Sequence, residues 1–166
     1  DSAGTGASPE AKTSEGPISV AAAVSLSLSR VTAETVFEAG ITAIRAGGIA
    51  TISSATNADV TSSADGTATG GSAAIAAAVA LALATTVTNS VLPATVTVTA
   101  GGLRLMATAA DDAGDTSSDV TVSAVAGASA DVSIAGAVAI GLIEHTTTAA
   151  QDGGATITGG GDVEIT

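Results

Sequence analysis

The densest group of chemistry-bearing side chains lies in DDAGDTSSD, which places Asp111, Asp112, Asp115 and Asp119 within one short, turn-like stretch. Carboxylates crowded into a turn offer the oxygen ligands that hard cations take, calcium above all. The spacing follows neither the EF-hand loop nor the glycine-rich nonapeptide roll, so a solvated acidic turn is the expected reading and a calcium site the alternative. These four aspartates are the candidate metal ligands, and no other cofactor is expected.

Catalytic candidates are scarce, because the chain holds one histidine and no cysteine or tyrosine. His145 stands in EHTTT where matching segments read RVTAE and TTVTN. Its column is polar rather than built around an imidazole, which predicts a surface histidine. No G-x-S-x-G elbow with partners for a triad can be assembled. Paired carboxylates can cleave glycosidic bonds, but a sugar groove also needs aromatic platforms, and Phe37 is the sole aromatic residue. Thr95, Thr97 and Thr99 suggest an ice-binding rank, yet the matching positions carry Ile41, Ala43 and Arg45, then Gly154, Thr156 and Thr158. No catalytic residue is nominated, and no enzyme activity is expected.

The elements that carry these residues are set by an unusual composition. Hydrophobic residues make up 46% of the 166 residues while aromatics are 1%. The apolar content is therefore mostly alanine and valine, which fill a thin core better than a thick one. Four basic against sixteen acidic side chains give a net charge of −12, which repels nucleic-acid phosphates and anionic headgroups alike. Without cysteine, stability has to come from backbone ladders and packing. The longest apolar run, Ser72 to Ala84, is shorter than the roughly 20 residues that a membrane helix needs. DSAGTGASPEAKTSEGP lacks a basic start followed by an apolar stretch, so any secretion signal is expected outside these residues.

Self-comparison reveals repeats. Val20, Ala22, Val24, Leu26 and Leu28 match Ile75, Ala77, Val79, Leu81 and Leu83, and then Ile134, Gly136, Val138, Ile140 and Leu142. A second block is marked by Gly47-Gly48, Gly101-Gly102 and Gly160-Gly161, with Ile44, Val98 and Ile157 before the pairs and Ile52, Met106 and Ile165 after them. The landmarks fall at 20–52, 75–106 and 134–165 of a single segment, 1–166. From Gly101 to Ile134 the chain is longer than from Gly47 to Ile75, and the extra length coincides with the acidic stretch, as insertions into repeat arrays coincide with surface loops. Joining Thr166 to Asp1 of a second copy keeps the glycine pairs close to phase, which predicts a longer array or end-to-end stacking.

Large aliphatics at every second position mark one face of a strand and would scatter around a helix, whatever the helix propensity of alanine. TVTVT from Thr95 and DVTVS from Asp119 keep the same period. The expectation is an all-β chain, a parallel β-helix (β-solenoid) of three tandem repeats of about 55 residues, with the aliphatic ranks stacked inside. Each buried aliphatic would contribute about 1.5 to 3 kcal/mol, so Leu81→Asp is expected to unfold the middle repeat. The alternate face is held to alanine, serine and glycine, apart from Ile143, which predicts close approach of another protein layer. Two or three layers per repeat would give a rod of roughly 30 to 45 Å.

VSIAGAVAIGLIEHTTTAA followed by GGATITGGGDVEIT resembles the repeats of large bacterial secreted adhesins and autotransporter passengers of the filamentous-haemagglutinin type. The resemblance spans essentially the whole chain and departs from the family pattern in the polar, proline-bearing stretch Ser8 to Pro17, where a strand would be interrupted. It implies a right-handed parallel β-helix, a secreted or cell-surface location, and fibre formation or adhesion. Partners would be copies of the chain or flanking repeats, with host or matrix glycans beyond them; nucleic acid and a membrane span are not expected. A calcium- or glycan-binding surface module is the alternative.

Overall fold

The computed structural model describes residues 2–14 and 16–166. Among these the chain is all-β, without a helix. The strands are β1 (Ser2–Ala7), β2 (Glu10–Ser14), β3 (Ile18–Glu34), β4 (Ala43–Arg45), β5 (Ile49–Thr69), β6 (Ala73–Leu92), β7 (Thr97–Thr99), β8 (Gly102–Ala109), β9 (Val120–Ser129), β10 (Val132–Gln151), β11 (Thr156–Thr158) and β12 (Val163–Ile165). Every named pairing is parallel. One sheet runs β3-β6-β10, a second β4-β7-β11, and a third is built around β5, which pairs with β1, β2, β8 and β9, with β12 beyond β8.

The register carries the repeat into three dimensions. Val20, Ile75 and Ile134 are hydrogen-bonded neighbours in adjacent strands, as are Val24, Val79 and Val138. Ile44, Val98 and Ile157 line up in the short sheet. Equivalent residues of successive repeats thus sit one strand spacing apart, about 4.8 Å, instead of two or three spacings as the longer rod required.

The faces are reversed from the expectation. Ser19, Ala21, Ala23, Ser25 and Ser27 of β3 are buried, and so are Ala74, Ala76, Ala78, Ala80, Ala82 and Ala84 of β6. The large aliphatics point outward: Val24 is 69% exposed, Val79 40% and Val138 50%. Period two identifies two faces without saying which is inside. Packing decides in favour of the small residues, because branched side chains hold facing sheets about 10 Å apart, whereas alanine faces let the sheets close up. At Gly66 the approach is so tight that a Cβ would stand 2.2 Å from the carbonyl oxygen of Ala77.

The alanines of β6 meet Ala64 and Ala68 of β5, and Ala82 and Ala84 meet Val60. Each alanine methyl contributes only about 0.8 kcal/mol, so the layer is stabilised by its many close contacts and by the ladder hydrogen bonds of its backbone rather than by bulk. Small hydroxyls bridge the same gap: Ser25 Oγ lies 2.7 Å from Ser62 Oγ, Ser27 Oγ donates to the Thr61 carbonyl at 2.8 Å, and Ser54 Oγ lies 2.9 Å from Ser90 Oγ. At the far end the gap widens, and Leu92, Val96, Val98, Leu103 and Leu105 fill it with Phe37, Ile44, Ile52 and Ile157 packed against them.

The tight turn from β5 into β6 places Gly70 at φ 98° and Gly71 at φ 72°, where only glycine is relaxed. Before β8 the column of stacked glycines is Gly48, Gly101 and Gly161, since a Cβ at Gly161 would stand 1.9 Å from the Gly101 carbonyl oxygen. The alignment on glycine pairs is therefore one residue out at this point, and Leu105, not Met106, stands beside Ile52 and Ile165. The stretch Ser8 to Pro17 is not an interruption either: it contains β2, which pairs with Asp65–Thr69. Pro9 falls in the break between β1 and β2, where its carbonyl accepts the Asp65 amide at 3.1 Å and its missing N–H costs no ladder bond. Glu15, in the same stretch, lies outside the described residues.

Candidate functional site

On the edge where β5 passes from β8 to β9 a partner strand is missing, while β1 continues the pairing on the other edge. β8 pairs with β5 as far as Thr56, and β9 takes over from Val60. Residues 57–59 face the inserted segment 110–119 instead, which has to satisfy their polar groups. Asn57, with no exposed surface (0%), donates Nδ2 to the Asp115 carbonyl at 3.3 Å and accepts from Ser118 Oγ at 3.3 Å. The Ala58 amide donates to Ser118 Oγ at 3.0 Å, the Val60 amide to the Asp119 carbonyl at 2.8 Å, and Asp59 Oδ1 accepts the Asp119 amide at 3.0 Å. The inserted loop is docked through β5 rather than loose in solvent.

The tip of the loop is a tight antiparallel turn in which the Asp112 and Asp115 backbones exchange hydrogen bonds of 2.8 and 2.9 Å. Its central residues, Ala113 at φ 52° and Gly114 at φ 93°, both lie in the left-handed region, the signature of a two-residue primed turn. Asp111 Oδ1 accepts the Gly114 amide at 2.7 Å. Asp115 Oδ1 accepts the Ser117 amide at 2.8 Å and lies 2.7 Å from Ser117 Oγ, which is also 3.2 Å from Asp119 Oδ2. The Ser117 amide, and after it the Ser117 hydroxyl, hold the Asp115 carboxyl below its ordinary 3.8.

Of the four sequence candidates, Asp115 and Asp119 come together, and Asp59 joins them, with one oxygen from each within 4.8 Å of the others. Among the described residues Asp111 and Asp112 are not members of that group; they shape the turn. Asp59 escapes a search for local clusters because it is 60 residues from Asp119. A signal existed nonetheless: Val60 is in register with Val120, so Asp59-Val60 and Asp119-Val120 are the same dipeptide one repeat apart.

Beside the loop is a polar recess of about 210 Å³ lined by Thr56, Thr88, Thr108, Thr116, Ser118 and His145. His145 is exposed, as expected, and it occupies the column of Val31 and Thr86. Its Nδ1 hydrogen-bonds the Thr86 hydroxyl. A second cleft, about 270 Å³, is lined by Ile49, Gly102, Arg104, Asp162 and Glu164, with Arg104 Nε 2.9 Å from Glu164 Oε2. Both are small beside the roughly 300 to 1,000 Å³ of ligand pockets, and neither is lined by Phe, Tyr or Trp. Phe37, the one residue of the Phe, Tyr and Trp class, packs partly buried against the wide end of the core.

An extended apolar surface is formed by the outward face of β3-β6-β10. Ile18, Ala73 and Val132 open it, and the ranks run on through Val20, Ile75 and Ile134 to Leu28, Leu83 and Leu142 without a charged or polar side chain. The next rank is Arg30, Thr85 and Glu144. No family model, curated protein or solved structure matches the chain.

Proposed function

We propose that the chain is a segment of a parallel β-solenoid, and that it serves as the structural or adhesive part of a secreted or cell-surface fibre. The observation that carries this reading is the in-register ladder of Val20, Ile75 and Ile134, flanked by two long edge strands, β3 and β10, that present matching residue types outward along the stacking direction. A strand edge of this length is a template for another strand. Here the template fits the chain's own repeat, so β10 of one unit is followed by the equivalent of β3, either in a further repeat or in a second copy. The small pockets and the alanine interior support a structural role over catalysis. Negative-stain electron microscopy of the purified chain tests the fibre: rods are expected, each copy adding about 14 Å of length for its three strand spacings. Compact single particles at every concentration would remove it.

A second reading is favoured by one observation, the convergence of Asp59, Asp115 and Asp119, and makes the docked loop a calcium site. Calcium would then raise the melting temperature and chelator would reverse the rise, with Asp59→Asn abolishing both effects. Melts that ignore calcium would leave the loop as a self-satisfied acidic turn.

A further inference from the structure

We propose that the outward aliphatic face of β3-β6-β10 is a pairing surface for a second copy of this chain, laid face to face with its strands parallel. This deepens the fibre reading, to which it adds a lateral partner.

Six ranks of three residues, from Ile18, Ala73 and Val132 to Leu28, Leu83 and Leu142, are apolar without exception. Leu26 is 54% exposed and Ile140 46%, so nothing among the described residues covers them. At about 3.3 Å per residue and 4.8 Å per strand, the patch is about 35 Å long and about 14 Å wide, or roughly 500 Å². That is at the upper end of what a monomer leaves in water. Two such faces together reach on the order of 1,000 Å², where specific interfaces begin, and flanking repeats would extend them.

Charge selects the occupant and its orientation. Arg30 and Glu144 stand in one rank on opposite edges of the sheet, two strand spacings or about 10 Å apart, and both are exposed. A twofold axis parallel to the strands lays β3 of one copy over β10 of the other and β6 over β6. Arg30 then meets Glu144 of the second copy twice, and every apolar rank meets itself. Turning one copy end for end with the six apolar ranks still matched would carry Arg30 and Glu144 past the Ile18 rank, where neither meets its opposite charge. The face is thus self-complementary in one orientation, as twofold interfaces are.

Val79 lies on the central strand, away from the edges where copies would stack end to end, and by the twofold axis it faces its own counterpart. Val79→Asp and Val79→Lys therefore place like charges in contact, while an equimolar mixture of the two places Asp opposite Lys. In sedimentation velocity over a concentration series, the wild-type chain is expected to pair. Each variant should pair roughly tenfold more weakly or worse, and the mixture should recover. Circular dichroism checks that both variants keep the strand signal. Variants that pair like wild type, or a mixture that does not recover, would overturn the proposal. So would a wild-type chain that stays monomeric or instead binds zwitterionic vesicles. Single-width rods from Val79→Asp support both proposals, and wild-type pairs without rods support the face while removing the end-to-end fibre.

Discussion

Asp115 shows how a side chain can be recruited for structure while resembling a ligand. Its carboxylate is held by Ser117 and its carbonyl by Asn57, so its low pKa has a local cause that needs no cation. The sign of the pH effect follows. A carboxyl whose folded value is depressed adds stability above its unfolded value, near 3.8, and that contribution is lost as pH falls through the lower folded value. A carbon-detected NMR titration should place the Asp115 midpoint below those of unstructured aspartates. Ser117→Ala, which keeps the amide bond and removes the hydroxyl, should move the midpoint part of the way back. No movement would mean that the hydroxyl contributes nothing. Asp111 and Asp112 were as visible in the sequence as Asp115, and nothing local separates turn-builders from members of the carboxylate group. The difference arises from Asp59, which only the docking of the loop on β5 brings near.

At the level of elements the two faces of β6 exchange the roles that hydrophobicity alone would assign. Ala80 is completely buried and Val79 is 40% exposed. Ala80→Leu should therefore force β5 and β6 apart and destabilise the chain by about 1 to 3 kcal/mol. Val79→Ser should stay within about 0.5 kcal/mol in the monomer. Urea unfolding at low protein concentration distinguishes the two, and equal stabilities would show that the small-residue face is not the core. The expectation that Leu81→Asp unfolds the middle repeat falls with the same reversal, since Leu81 lies on the outward face in register with Leu26 and Ile140. Strand identity and spacing were legible from the period. Which face is inside was not, because a rank of alanines buries little area by itself and is favoured only when a second such rank closes on it.

For the molecule as a whole, the ladders leave a central layer and two outer ones. Leu92, Leu105 and Ala80 have no exposed surface, whereas Ile134, in β10, is 62% exposed. The rod expected by microscopy gains an independent readout from this gradient. In the monomer, backbone amides of β10 that lack a ladder partner should exchange with solvent far faster than those of β6, and in rods the two should converge. Edges that exchange as fast in rods as in monomers would show that the rods are joined elsewhere. The net charge of −12 opposes crowding of copies in general, which leaves the uncharged face and the strand edges as the places where contact costs least.

The sequence alone determined that the chain is built of strands, that its alternating aliphatic stretches match one another in residue type, and that an acidic stretch lengthens the last interval between them, because period and likeness are properties of the linear order. Tertiary structure decided that matching residues are direct neighbours, that Leu105 and not Met106 continues its column, that Asp59 completes the carboxylate group, and that the aliphatics in the ranks from Ile18 to Leu28 face outward. Each of these depends on how closely two backbones can approach, and a chain written in one dimension does not contain that distance.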